Sequence, residues 1–145
     1  MIAYLDSSAL VPLLVAEPAS QRCQRIWLDA DVVATSLLSY VEVHAALAQA
    51  QRLHRLTPEA RREAAVQYEQ LWQELTVIAP SEQLVRDAAT LAHTHALRGY
   101  DSVQCATALS IADDDFVAVT GDRRLLEAWQ QLALITVDTS AHDQR

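Results

Sequence analysis

Five short apolar runs rich in β-branched residues recur along the chain, at residues 2–5, 32–35, 76–79, 116–120 and 134–137. Longer segments whose apolar positions follow helical spacing lie between them. This alternation predicts an α/β fold with a central parallel sheet of about five strands, flanked by helices on both faces. The longest stretch without a strand signal runs from about residue 37 to residue 75, and Thr57-Pro58 interrupts it. Proline is tolerated at the first helical position, so the break reads as a helix start, and the stretch predicts two helices forming a hairpin beside the sheet.

At 145 residues, with 51% hydrophobic and 21% charged residues, the chain is expected to fold as one domain over residues 1–145. Its polar end, residues 139–145, is expected to fray. With only Gly99 and Gly121, the chain has neither a Walker loop nor a dinucleotide fingerprint, both of which need close backbone approach to phosphate. The N-terminus has no basic leader, and the apolar run over residues 9–16 is broken by Pro12. Neither a signal peptide nor a membrane helix is expected, and the predicted location is the cytoplasm. Cys23 and Cys105 lack metal-type spacing and are expected to be buried free thiols.

Charge sharpens the question of function. The net charge is −8, and all 11 basic residues are arginine. A protein that holds nucleic acid by bulk attraction should be basic. Either nucleic acid is no partner, or the acids are concentrated where metal ions would neutralise them.

Four carboxylates stand out. Asp6, in YLDSSALVPLL, follows the first predicted strand, and Asp122, in FVAVTGDRRLL, follows the fourth. In an open parallel sheet, ligands bind at the carboxyl ends of the strands. Each aspartate also has a purely structural explanation as a helix N-cap. Asp101, in LRGYDSVQCATAL, shares that alternative, with Gln104 completing a capping-box-like pattern; the functional alternative has Gly99-Tyr100 turning this helix start toward the strand ends. Glu42 lies in TSLLSYVEVHAALAQAQRLH, between Leu38 and Ala46 and on the side of Ala45, which places it in the buried stripe. A carboxylate there needs an arginine, a hydroxyl or a cation. If the four converge, the oxygen-rich site suits Mg²⁺ or Mn²⁺. Arg123 and Arg124 follow Asp122 and are candidates for phosphate contact or for pairing with nearby acids. Arg52, Arg55, Arg61 and Arg62 read as a solvated face, Asp113 to Asp115 as a solvated loop, and the three tryptophans as core or interface. The five histidines show no spacing matched to the acids.

YLDSSALVPLL, TSLLSYVEVHAAL, LRGYDSVQCATAL and VTGDRRLLEAW together resemble the four acidic motifs of the PIN-domain nucleases. Length and motif order most resemble the VapC toxins of toxin–antitoxin pairs, and the likeness extends from residue 1 to about residue 137. The resemblance implies metal ligation by Asp6, Glu42, Asp101 and Asp122, with Asp6 and Asp101 central and Ser8 and Thr120 as hydroxyl partners. It further implies an Mg²⁺- or Mn²⁺-dependent endoribonuclease leaving a 5′-phosphate and a 3′-hydroxyl, a homodimer, and a cognate VapB-type antitoxin. The hairpin is the expected partner surface. Two other readings are weaker. A haloacid-dehalogenase-like phosphatase needs a second acid two residues after the first, where this chain has Ser8, and it needs a lysine, which the chain lacks. A catalytically inactive PIN-fold binding module would not need all four acids.

Overall fold

β1 (Ile2–Leu5) is the central strand of a five-stranded parallel sheet in the computed structural model, which describes residues 1–141. The order is β3-β2-β1-β4-β5, with β2 (Val32–Ser36), β3 (Thr76–Ile78), β4 (Phe116–Thr120) and β5 (Thr136–Asp138). The expected strands are all present, with small shifts at their ends. The run at 134–137 appears as the strand Thr136–Asp138, with the Ile135 carbonyl just before it already accepting the Ala118 N–H at 2.9 Å. β1 lies in register between its neighbours, Ile2 facing Val32 on one side and Leu5 facing Val119 on the other.

Successive strand residues point to opposite faces, so each strand supplies two cores. Ala3, Leu5, Val33, Val117 and Val119 pack on one face against Ala9 and Leu10 of α1 (Ser7–Leu10). Val43 and Leu47 of α3 (Leu38–Arg52), and Ala64 and Tyr68 of α4 (Pro58–Trp72), complete that layer. A single 3₁₀ turn, Val11–Leu13, leads from α1 toward α2 (Ser20–Asp29). Tyr4, Ala34, Phe116 and Ala118 pack on the other face, against Cys105 and Ala108 of α6 (Gly99–Ile111) and Leu125 and Trp129 of α7 (Arg123–Gln131). α5 (Glu82–His95) packs outside α6 through Leu84, Ala88 and Ala106.

The predicted hairpin is α3 and α4. Thr57 caps α4 by accepting the Ala60 N–H at 3.1 Å, with Pro58 at the first helical position. Rings of Tyr40, His44, Tyr68 and Trp72 pack edge-on or stacked between the two helices. Both cysteines are buried and free. Among the described residues no helix is long and apolar enough to cross a membrane.

Fraying does not begin at residue 139. Thr139 is buried and its N–H donates to the Thr120 carbonyl at 3.0 Å, while residues 142–145 of the expected tail lie outside the described residues. Thr139 also presses on Gly121: a Cβ placed there would meet Thr139 Oγ1 at 2.8 Å and Ser8 Oγ at 3.6 Å. Glycine is required by this close approach. Gly121→Ala is expected to cost about 1–3 kcal/mol in urea denaturation, as overpacking does, and adding Thr139→Ala should recover part of that loss.

Candidate functional site

The chain leaves β1 on one side of the sheet and resumes at β4 on the other, so the ends of β1 and β4 border the crevice where parallel sheets hold ligands. Asp6 follows β1 and caps α1, and Asp122 follows β4 and caps α7. Asp6 is 4% exposed. Its Oδ1 accepts the Ala9 N–H at 3.1 Å and the Ser8 hydroxyl at 2.7 Å, and its Oδ2 accepts the Thr120 hydroxyl at 2.8 Å. Thr120 Oγ1 in turn accepts the Asp122 N–H at 2.9 Å, Ser8 Oγ accepts the Gly121 N–H at 2.8 Å, and Asp122 accepts the Leu125 N–H at 2.9 Å. Ser8 and Thr120 thus stand beside Asp6 as hydroxyl partners.

Glu42 departs from the sequence reading in one respect. The buried stripe of α3 is Ser39, Val43 and Leu47, and Ala45 is exposed, so Glu42 borders the stripe instead of sitting within it. Its partners are neutral: Gln104 Nε2 donates to Oε1 at 2.7 Å and the Ser7 hydroxyl donates to Oε2 at 3.2 Å.

Asp101 departs further. α6 begins at Gly99 with Arg98 at the cap position and no side-chain cap bond, so Asp101 belongs to the first helical turn and caps nothing. Gln104 completes no capping box and is buried, facing Tyr4, Ser39 and Glu42. The reversal that aims α6 comes before Gly99-Tyr100: α5 closes at Ala96, in left-handed conformation with φ 52°.

Among the described residues none of the four carboxylates has an ion-pair partner within contact distance. Burial pushes Asp6 up to about 7, opposed by its three hydrogen bonds and reinforced by the charge of Glu42. Burial raises Glu42 too, against its bonds to Gln104 and Ser7, with the Asp101 charge adding to the rise. Asp101 is raised by burial and then by the charge of Asp122, while Arg98 and Arg124 oppose the rise. The acids therefore feel one another in sequence, Asp6 to Glu42 to Asp101 to Asp122. As they stand, no three acidic, histidine or cysteine side chains among the described residues are grouped closely enough to hold a metal ion.

Arg123 is drawn to Glu127 at 3.3 Å, one turn along α7, which realises the pairing alternative. Arg124 has no such pair among the described residues, and together with Arg98 it supplies positive charge beside Asp101. Arg98, Ser7 and Gln104 were not singled out in the sequence as parts of the site. The one available signal was a glutamine in the run SVQCATAL, whose other residues are all small or apolar.

Burial of Asp6 makes the stability of the fold depend on pH. Its folded pKa lies above the unfolded value, so its contribution to stability is full below pH 3.8 and is lost as pH rises through about 7. Above that range the buried charge costs the folded state on the order of 4 kcal/mol. In chelator, Asp6→Asn is expected to unfold at higher urea than the parent at pH 8, and this advantage should vanish near pH 4.

A sequence profile of the PIN domain matches residues 3–129. Ribonuclease VapC45 of Mycobacterium tuberculosis (strain CDC 1551 / Oshkosh) is 38% identical over 124 residues, covering 86% of each chain. The crystal structure of PAE2754 from Pyrobaculum aerophilum superposes with a TM-score of 0.68 at 22% identity, covering 94% of this chain and 84% of that one. A toxin–antitoxin complex from Klebsiella pneumoniae has a chain that superposes with a TM-score of 0.63 at 17% identity, covering 94% and 97%. The sheet order, the matched span and the identity to a VapC ribonuclease agree: the chain belongs to the PIN-domain family.

Proposed function

We propose that this chain is a divalent-metal-dependent endoribonuclease and the toxin of a toxin–antitoxin pair, acting through Asp6, Glu42, Asp101 and Asp122. The observation that carries the reading is a set of four carboxylates without a cation partner among the described residues: Asp6 and Asp122 follow β1 and β4, Ser7 beside Asp6 holds Glu42, and Asp101 lies one turn before the Gln104 that also holds Glu42. The identity to a ribonuclease supports RNA as the substrate, and the fold shared with a toxin–antitoxin complex supports an antitoxin as the partner. We place the activity in the cytoplasm and the active form as a homodimer, as the sequence resemblance implies.

The donor chemistry fits the metal. A hard ion such as Mg²⁺ or Mn²⁺ takes carboxylate oxygens and keeps several waters, which is the donor type that the four acids offer. Asp6 and Asp101 are the central ligands in this proposal, with Glu42 and Asp122 completing the set. When bound, the ion lowers the pKa of water and offsets charge on the scissile phosphate.

The protein's own groups do the rest. Ser8 and Thr120 hold the Asp6 carboxylate by donating to both oxygens, so its direction is set before any ligand arrives. Arg98 and Arg124 attract the RNA backbone locally, against the repulsion of a chain carrying −8. A groove of about 370 Å³ beside Asp101, lined by Leu38, Val85, Ala88, Tyr100 and Val103, offers an antitoxin segment apolar ground next to the acids. We place the partner contact there in preference to the α3–α4 hairpin.

Two measurements test this. Millimolar Mg²⁺ or Mn²⁺ should raise the melting temperature, because a cation that binds only the folded state relieves the repulsion among the acids; no difference from chelator would count against a shared metal site. Asp101→Asn should lower RNA cleavage by about 100-fold or more, since it removes a charge facing the ion. Asp101 caps nothing, so circular dichroism of the variant should match the parent, and Asp113→Asn should cleave at the parental rate.

A further inference from the structure

We propose that Gln104 is a positioning residue for the acidic site: its side-chain amide holds the Glu42 carboxylate and registers β1, α3 and α6 against one another. This inference rests on the metal-dependent reading of the site given above.

Gln104 is 1% exposed and lies one turn after Asp101 on α6. Its amide has one acceptor oxygen and two donor hydrogens. The Tyr4 hydroxyl donates to Oε1, and Nε2 donates to Glu42 Oε1 at 2.7 Å and to Ser39 Oγ at 2.9 Å. All of these polar groups are therefore satisfied, in a place where an apolar side chain of similar length would carry no polar burden.

The orientation of the amide follows from the two ends of the network. At one end the Leu5 carbonyl can only accept, and it takes the Thr35 hydroxyl at 2.6 Å. Thr35 Oγ1 must then accept from Ser39 across their 2.7 Å contact, which leaves the Ser39 oxygen to accept from Gln104. At the other end an ionised Glu42 also only accepts. A flipped amide would set oxygen against oxygen at Glu42 and deprive Ser39 of its donor. The Tyr4 hydroxyl secures the third corner from β1, where its ring packs edge-on to Trp129.

This network reaches every element bearing a proposed ligand except α7. Leu5 immediately precedes Asp6, Ser39 and Glu42 share α3, and Gln104 shares α6 with Asp101. Ser7, next to Asp6, holds the second Glu42 oxygen. Because the donors to Glu42 are neutral, its position is set while its charge stays available to a cation. An arginine in the same place would hold Glu42 equally well and cancel that charge.

The experiment uses Mn²⁺ alone as the probe, with affinity read by electron paramagnetic resonance and RNA cleavage read in parallel. Gln104→Met should retain the parental circular dichroism spectrum and bind Mn²⁺ about 10–100-fold more weakly. Its kcat should fall while KM for RNA stays nearly parental. In a Glu42→Gln background, Gln104→Met should change Mn²⁺ affinity by less than about twofold, since the effect passes through Glu42. Parental Mn²⁺ affinity in Gln104→Met, or an undiminished effect in the Glu42→Gln background, overturns the proposal. If Gln104→Met does not fold, Tyr4→Phe carries the test: it keeps the ring, removes the hydroxyl that ties the amide to β1, and should weaken Mn²⁺ binding. Parental affinity in Tyr4→Phe overturns the proposal as well. Asp101→Asn separates this inference from the reading beneath it. Loss of Mn²⁺ binding in Asp101→Asn alongside normal binding in Gln104→Met rejects the positioning role alone, whereas a parent that binds no Mn²⁺ rejects both.

Discussion

A carboxylate buried without a cationic partner has to be surrounded by hydrogen-bond donors, and at Asp6 those donors come from three directions at once. Ala9 supplies a backbone N–H from the start of α1, Ser8 a hydroxyl from the same turn, and Thr120 a hydroxyl from the neighbouring strand. The third is available only because β1 and β4 pair in parallel with Leu5 opposite Val119, which brings Thr120 level with Asp6. Thr120 then accepts the Asp122 N–H, so the start of α7 is referred to the same atom group. The site is therefore a property of strand register, and a slip between β1 and β4 would dismantle it together with both cores.

Much of this was legible in advance. Apolar runs at strand spacing, separated by helical periods, carry α/β architecture because a parallel sheet must be covered on both faces. Asp6 and Asp122 were legible for a local reason: each sits where a strand ends and a helix begins, and the adjoining residues define both. Glu42 was recognised as anomalous, yet its bordering position on α3 depends on where Tyr68 of α4 and Gln104 of α6 pack, which helical spacing alone does not encode. The cap alternative for Asp101 does not hold, and the turn expected at Gly99-Tyr100 lies elsewhere, because Gly99 is already helical and Ala96 makes the reversal. Gln104 was read as the far end of a capping box with Asp101, because nothing local marks its distant contacts. Its partners lie 62, 65 and 100 residues away along the chain.

The electrostatics and the packing oppose each other here, and the opposition is local. Burial and mutual repulsion raise Asp6, Glu42 and Asp101 together, and the hydroxyls and amide that hold two of them offset only part of that rise. These three carboxylates are thus held in the folded chain against an electrostatic cost. Positive charge reaches Asp101 from Arg98 and Arg124, which oppose its rise.

That Asp6 and Asp122 each serve as a helix cap as well as an acid has an evolutionary consequence. Asparagine caps a helix about as well as aspartate, and a single base change in either aspartate codon produces it. Where these acids carry the chemistry, the genetic code places a folded but silent copy one mutation from the active chain. Such a copy keeps the surface around the crevice, so it would still be recognised by whatever binds there. After gene duplication, a paralogue of this kind could act as a decoy that titrates the inhibitor of its active sibling. On that condition, the same carboxylates that start the helices make loss of activity easier to reach than loss of fold.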